Sequence, residues 1–403
     1  MVHSKSNILV VSAVFPPEQV TSALMNYDLA HELAKEHHVK VLRSYPTRPI
    51  GANFSDIEVH DDSFETLLLD SYTHPESSFI GRFRESFDFG RKAANYIKMH
   101  HHEIDFVYND GWQLFSLYFV AKVCVKYNIP YIVPIQDIYP ECILTKGHFP
   151  NLIKKFIKSI LLPIDVYYQK HAAKVRTIST QMAEYLSQTR TVSIGNYLVV
   201  SNWQNDEDFD ILPESKGDNQ SLSFAYVGSI NVHANVDLII KSFVKAQIPN
   251  SKLKIFGGGN QKENCQKLVS DLGAKNISFD FVSRKDIASV QAQADALLLA
   301  LPTGNGSLCL PSKLTSYMLS GRPVIASVDQ DSATSRILAD EKCGLSVEPD
   351  SLDSLANAFK RFSLLSKSER IEMGKNSRIY AQSYLTRKVN LAKVITSINE
   401  ILK

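Results

Sequence analysis

The sequence predicts an α/β protein built from two doubly wound, parallel-sheet domains. Three observations predict it. Short β-branched runs alternate with longer stretches of helical apolar spacing, the pattern of βαβ units. A polar, acidic, turn-rich segment over residues 201–222 interrupts that series once, after which it starts again. The chain has 403 residues, 44% hydrophobic and 21% charged, enough to bury two sizeable cores.

In the first series the runs at 7–14, 39–44, 66–70, 106–108, 131–135 and 175–178 read as strands. The stretches at 22–36, 80–100, 114–127 and 152–173 read as helices. In the second series the strands are 223–227, 253–256, 277–279, 296–301, 323–326 and 344–347. Its helices are 236–245, 261–272, 285–292, 312–319, 333–339 and 352–362, and an amphipathic run closes the chain from 367 to 403. The expected domains are therefore 1–200 and 223–385, joined by 201–222.

Charge and cysteine usage narrow the function. Lys+Arg is 44 against Asp+Glu 42, a net charge of +2, which argues against a general nucleic-acid binder. No apolar run approaches the ~18–20 residues of a membrane span. The N-terminus enters a strand without a signal-peptide core. The five cysteines are scattered and lack Cys-x-x-Cys spacing, so a reducing, cytoplasmic compartment is expected and a metal site is not.

Ligands of open parallel sheets collect beyond the carboxyl ends of the strands, so the loops there carry the reading. In the first domain these hold Pro17 and Glu18, then Asp110, then Asp137 and Glu141. In the second they hold Gly228 and Ser229, Gly257 and Gly258, and the stretch from Pro302 to Lys313. Two facing sheets with such loops would leave a cleft between the domains. The densest signal is Leu310-Pro311-Ser312-Lys313-Leu314, followed by Ser320-Gly321-Arg322-Pro323-Val324. Pro and Ser start helices, and a helix start offers free N–H groups and the positive end of a dipole. A lysine in that first turn opposes the dipole, so Lys313 points to an anionic partner such as a phosphate. The plain alternative is a loop-helix-strand unit with an exposed lysine. For Asp137 the plain alternative is a turn former, and for the glycines a tight turn.

Two segments around Phe83 and Lys155 are basic and aromatic. Each alone reads as a buried helix face with a solvated edge. Together they make peripheral contact with an anionic membrane an expectation.

The Pro-Ser-Lys-Leu segment, the Ser-Gly-Arg-Pro segment, Cys343-Gly344-Leu345 and Tyr226-Val227-Gly228-Ser229 resemble the C-terminal domain of family 4 glycosyltransferases. The resemblance is to the bacterial surface-polysaccharide branch. Phe15-Pro16-Pro17-Glu18 and Asp137-Ile138-Tyr139-Pro140-Glu141 resemble its N-terminal loops, so the similarity covers nearly the whole chain. The resemblance implies the GT-B fold, two Rossmann-like domains, with a last helix, 386–403, crossing back to the first. It implies retaining transfer of a sugar from a nucleotide-sugar, UDP-linked, to a glycan acceptor in O-antigen or capsule biosynthesis. No bound metal or other cofactor is implied. The acceptor would be a glycan or lipid-linked oligosaccharide at the cytoplasmic membrane face.

Carried over, the donor would meet Gly228, Ser229, Gly257, Gly258, Arg284, Pro311, Ser312, Lys313, Leu314 and Ser316. The acceptor would meet Pro17, Glu18, Asp110 and Glu141, and Asp137 and Lys313 would be catalytic. The chain departs from the family where its usual glutamate pair would fall, at Leu308 and Ser316, and lacks a basic residue after the first strand of the second domain. The alternatives are a non-catalytic subunit that binds a partner enzyme or a glycan, and a sugar-nucleotide 2-epimerase.

Overall fold

The computed structural model describes residues 5–18, 20–47, 54, 61–74, 79–146, 149–203, 206–209, 221–304 and 310–403, with only the backbone at 79, 145, 146 and 284. The chain folds into two compact units, residues 1–200 with 391–403, and residues 201–390.

The first unit holds a parallel sheet of seven strands. These are β1 (Asn7–Ser12), β2 (His38–Arg43), β3 (Glu65–Leu68), β4 (Phe106–Asp110), β5 (Tyr131–Ile135), β6 (Lys174–Thr177) and β7 (Tyr197–Val199). Their order is β3-β2-β1-β4-β5-β6-β7. All of β5 and all but the first residue of β1 are buried, as expected of strands covered by helices on both faces.

The second unit holds six parallel strands: β8 (Leu222–Val227), β9 (Ser251–Phe256), β10 (Ile277–Asp280), β11 (Ala296–Ala300), β12 (Val324–Ser327) and β13 (Gly344–Val347). They run in the order β10-β9-β8-β11-β12-β13. Alternate residues of β8 feed different cores. Phe224 packs edge-on against Phe359, with centroids 5.0 Å apart, while Ala225 and Val227 join Tyr317 and Met318.

Every expected strand is present. Tyr197–Val199 was not expected, because three residues are too few to show a period. The short helices Glu141–Lys146 and Thr180–Arg190 were also missed. The closing run is two helices rather than one, Lys367–Tyr384 and Arg387–Ile401. Ser366 and Glu369 form a capping box at the start of the first. Between the two, Leu385 is buried and Asn390 Nδ2 donates back to Tyr384 O at 2.8 Å. The final segment belongs to the first unit. Val394 and Ile398 are fully buried there, and Asn399 Nδ2 donates to Glu36 at 3.0 Å.

Each sheet reverses its strand order once, at β1/β4 and at β8/β11. At such a point the crossover helices leave on opposite faces, so the loops diverge and open a crevice at the strand ends.

Candidate active site

The crevice of the second unit holds a pocket of about 300 Å³. Its lining includes Val227 and Gly228 at the end of β8, Phe256 and Gly257 at the end of β9, and Val282 after β10. Ser312, Lys313 and Ser316 come from the helix Ser312–Leu319. Tyr317 ties that helix to β8. Its hydroxyl donates to Val227 O at 3.0 Å and accepts from Val227 N at 2.9 Å.

Lys313 is the charged group of this pocket that matters most. Its ammonium lies 5.4 Å from the Tyr226 ring centre, a cation–π contact. Burial lowers its pKa, with no acidic neighbour opposing the shift. Gly228 is required beside it. Its φ is +151°, and a Cβ there would stand 2.0 Å from Lys313 Cε. Gly257, at φ +143°, passes as closely over the Gly228 carbonyl: a Cβ would stand 2.0 Å from that oxygen. The glycines let backbone and a lysine stem share one narrow space.

Ser316, one turn along the same helix, donates from Oγ to Lys313 O at 3.0 Å and accepts from Gln291 Nε2 at 3.2 Å. Gln291 and Ala288 come from the helix Ile287–Ala292, and Asp208 and Phe209 from a turn of the segment read as a linker. None of these four was expected. Composition alone presents 201–222 as a solvated connection, yet Trp203 and Phe209 are buried. The one signal for Gln291 was a long polar residue in a run of small and apolar ones.

The structure separates the other donor candidates. Leu314 is fully buried with Tyr317 and Met318, on the core face of the helix, and does not line the pocket. Ser229 and Gly258 are exposed and Pro311 is the half-buried residue before the helix, all outside the lining. The side chain of Arg284, and Leu308 and Cys309, lie outside the described residues.

In the first unit, Pro17 and Glu18 follow β1 and Asp110 ends β4, the two strands that flank the reversal. Glu18 is buried and accepts from Thr47 N at 2.8 Å. Burial pushes its pKa up to about 7 despite that hydrogen bond. Burial likewise raises Asp110 to about 6, against a hydrogen bond from Asn26 and the charge of Arg176. Asp137 is exposed in the bend after β5.

Glu141, expected to meet the acceptor, is held by an arginine and a tyrosine. Its carboxylate receives a two-pronged pair from Arg190, Nη1 to Oε1 at 2.8 Å and Nη2 to Oε2 at 2.7 Å, and Tyr185 OH at 3.1 Å. Burial opposes its charge, but Arg190 outweighs burial and its pKa falls below the usual carboxylate value. Arg190 also bonds Asp165 at 2.6 Å and the Tyr139 carbonyl at 2.7 Å. Glu141 thus anchors the loop that presents Asp137.

Residues 206–380 match the family model for glycosyl transferases group 1. The second unit carries a glycosyl transferases group 1 domain. The expected enzyme class, a glycosyltransferase, stands on that match. No curated protein matches the chain.

Solved structures resemble it over nearly its full length. Sucrose-phosphate synthase from Thermosynechococcus elongatus shares 17% identity at a TM-score of 0.72, covering 98% of this chain and 99% of its own. Anabaena HepE, in complex with UDP and glucose, shares 14% at a TM-score of 0.64 over the same shares. WaaG, a glycosyltransferase involved in lipopolysaccharide biosynthesis, shares 16% at 0.65, also over 98% and 99%. These likenesses establish the GT-B fold. The domain's pocket sits where that fold places the ends of its β8 and β9 strands, and Lys313 and Gly228 line it together.

Proposed function

We propose that the chain is a retaining glycosyltransferase that moves a hexose-type residue from a UDP-sugar to a glycan acceptor of bacterial surface polysaccharide. The observation that carries this reading is Lys313, a half-buried cation without an acidic partner among the described residues, at the mouth of a helix and beside two backbone-exposing glycines. A dianionic diphosphate supplies the missing counter-charge. The helix N-terminus and the Gly228 and Gly257 backbone add oriented dipoles.

In this mechanism the second unit binds the donor. As the anomeric bond breaks, charge grows on the departing diphosphate, and Lys313 neutralises it inside a poorly hydrated pocket. The acceptor hydroxyl attacks from the face the diphosphate leaves, which keeps the anomeric configuration. Glu18 and Asp110, both poised to titrate near neutrality, are the first-unit groups suited to hold that hydroxyl. Asp137 supports the positive charge that develops on the reacting carbon. The reading includes no bound metal, since Lys313 supplies the charge a cation would bring.

The acceptor is read as lipid-linked, at a membrane face. In the first unit, Phe83 packs edge-on against Phe115 and, with Phe149, Phe156 and Ile157, lines an apolar groove of about 240 Å³. Ile80, Leu152 and Phe156 are largely exposed, and the last two share a helix with the exposed Lys155 and Lys158. Among the described residues no helix is long and apolar enough to cross a membrane. Apolar anchors flanked by lysines suit shallow, reversible contact with anionic lipid.

The test is a panel of sugar nucleotides scored by thermal shift, followed by donor turnover in excess chelator. Stabilisation by one or more UDP-sugars and metal-independent turnover are expected. No nucleotide response in a folded protein would favour a non-catalytic role.

A further inference from the structure

Arg82 lies in the first turn of the helix Phe79–His100, at the carboxyl end of the first unit's sheet. Its side chain is 27% exposed, yet its guanidinium is held in place. Nη1 donates to Glu85 Oε2 at 2.9 Å, and the group lies 5.4 Å from the ring centre of Trp112, in the bend after β4. Glu85 is 1% exposed and is itself fixed by the His74 N–H, which donates to Oε1 at 3.1 Å. A guanidinium has five N–H donors. Those on Nε and Nη2 meet no acceptor among the described residues. The Tyr139 hydroxyl feels the charges of both Asp137 and Arg82, so the guanidinium stands beside the loop that presents Asp137.

A second arginine stands at the same end. Arg43 closes β2, is half-buried, and makes no side-chain hydrogen bond among the described residues. Burial opposes its charge, and Glu18 is the one neighbour that favours it. The carboxylates here are already supplied with donors: Glu85 by Arg82 and His74, Glu18 by Thr47, Asp110 by Asn26. The surplus is therefore of donors, and of donors held rigid before any ligand arrives, which lowers the cost of binding. Resting on the reading of the first unit as the acceptor site, we infer that the acceptor carries an anionic group, a phosphate or a carboxylate, and that Arg82 binds it. The parallel N–H pair on Nε and Nη2 matches two oxygens of either group. Arg43 adds the second positive charge, and Glu85 and Trp112 are positioning residues that aim the fork.

The experiment uses two matched pairs of probes, titrated by calorimetry with the donor site filled by saturating UDP. One pair is geranyl diphosphate and geraniol, for a lipid diphosphate; the other is methyl glucuronide and methyl glucoside, for an acidic sugar. Wild type should bind the charged member of at least one pair about tenfold more tightly than its neutral twin, and the pair that shows this identifies the anion. Arg82→Gln should bring charged and neutral members within about twofold at an unchanged UDP affinity. Arg82→Lys, which keeps the charge without the fork, should fall between. Melting temperatures establish that the variants fold, and if Arg82→Gln does not, Arg82→Lys decides by the same measure. Equal or undetectable binding of both members in both pairs overturns the inference, as does an unchanged preference in a folded Arg82→Gln. A loss of UDP affinity in Arg82→Gln also overturns it, since the arginine would then serve the donor. Failure of UDP to bind wild type counts against the donor site alone, and the pairs are then titrated without it.

Discussion

Lys313 lies across Gly228 so closely that a carbon built on the glycine would stand 2.0 Å from Lys313 Cε. The two positions are therefore one device, a lysine stem laid over a backbone that has no side chain. Gly228→Ala should displace the lysine and strain the +151° backbone. A cost of about 1–3 kcal/mol in stability is expected, from strain and overpacking. Nucleotide affinity should fall along with it. A melting curve and a UDP titration check both; an alanine variant with wild-type affinity would place the anion elsewhere.

Lys313→Met should separate binding from stability. The side chain keeps its packing but loses a half-buried charge that, without ligand, has the Tyr226 ring beside it and no acidic partner among the described residues. The unliganded variant should melt at or above the wild-type temperature. Donor affinity or turnover should drop by about one to two orders of magnitude, the worth of a charge-assisted hydrogen bond. The sign with pH follows from the lowered lysine pKa. Above the folded pKa and below the unfolded one, the unfolded chain binds more protons, so wild-type stability gains with rising pH there. The methionine variant should lack that gain.

Glu18 gives the opposite sign. Its folded pKa is about 7 against an ordinary 4.5, because it is buried. Between those values the folded chain binds the extra proton, so wild-type stability should fall as pH rises from 4.5 to 7. Glu18→Gln should remove that fall, worth about 3 kcal/mol by the size of the shift. Urea unfolding at pH 5 and pH 8 measures it. The same pH dependence in both proteins would show that Glu18 is charged and compensated.

Arg190 holds two carboxylates, Glu141 and Asp165, and is itself 1% exposed. Arg190→Leu leaves Asp165 buried without its partner, so a loss of about 3–5 kcal/mol is expected. Glu141→Gln leaves the Arg190–Asp165 pair intact and should cost far less. If Glu141→Gln abolished turnover without altering the melting temperature, Glu141 would be a substrate contact after all.

Membrane contact is read out by co-sedimentation with vesicles. Recovery with the pellet should rise with the fraction of anionic lipid and decline with salt. Phe156→Ser should weaken it, because Phe156 is 64% exposed and contributes to no closed core. Equal recovery in the supernatant at every lipid composition would end this part of the reading.

Both sheets were legible in the sequence because a strand buried on two faces must be a continuous apolar run, and its neighbours must be helices long enough to cover it. The alternation of such runs determines a doubly wound domain whatever the loops contain. Lys313 was legible for a related reason, since a proline-serine helix start followed by a cation is a local pattern. The rest depended on long-range packing. Gln291 and Ser316 are 25 residues apart and meet only because two helices converge on the ends of β8 and β9. Glu141 was matched by motif to the acceptor, but its partner Arg190 lies 49 residues on, in a helix that showed no strong period. Phe209 was read as linker because its neighbours are acidic, although its ring is buried in the core that holds Val227 and Tyr317, and the Arg378 guanidinium donates to its carbonyl at 2.8 Å from 169 residues away. The sequence determined which segments are strands and helices, since that follows from local period and burial. Which polar groups face each other was decided by the tertiary structure, since a hydrogen bond depends on distance in space and leaves no period in the chain.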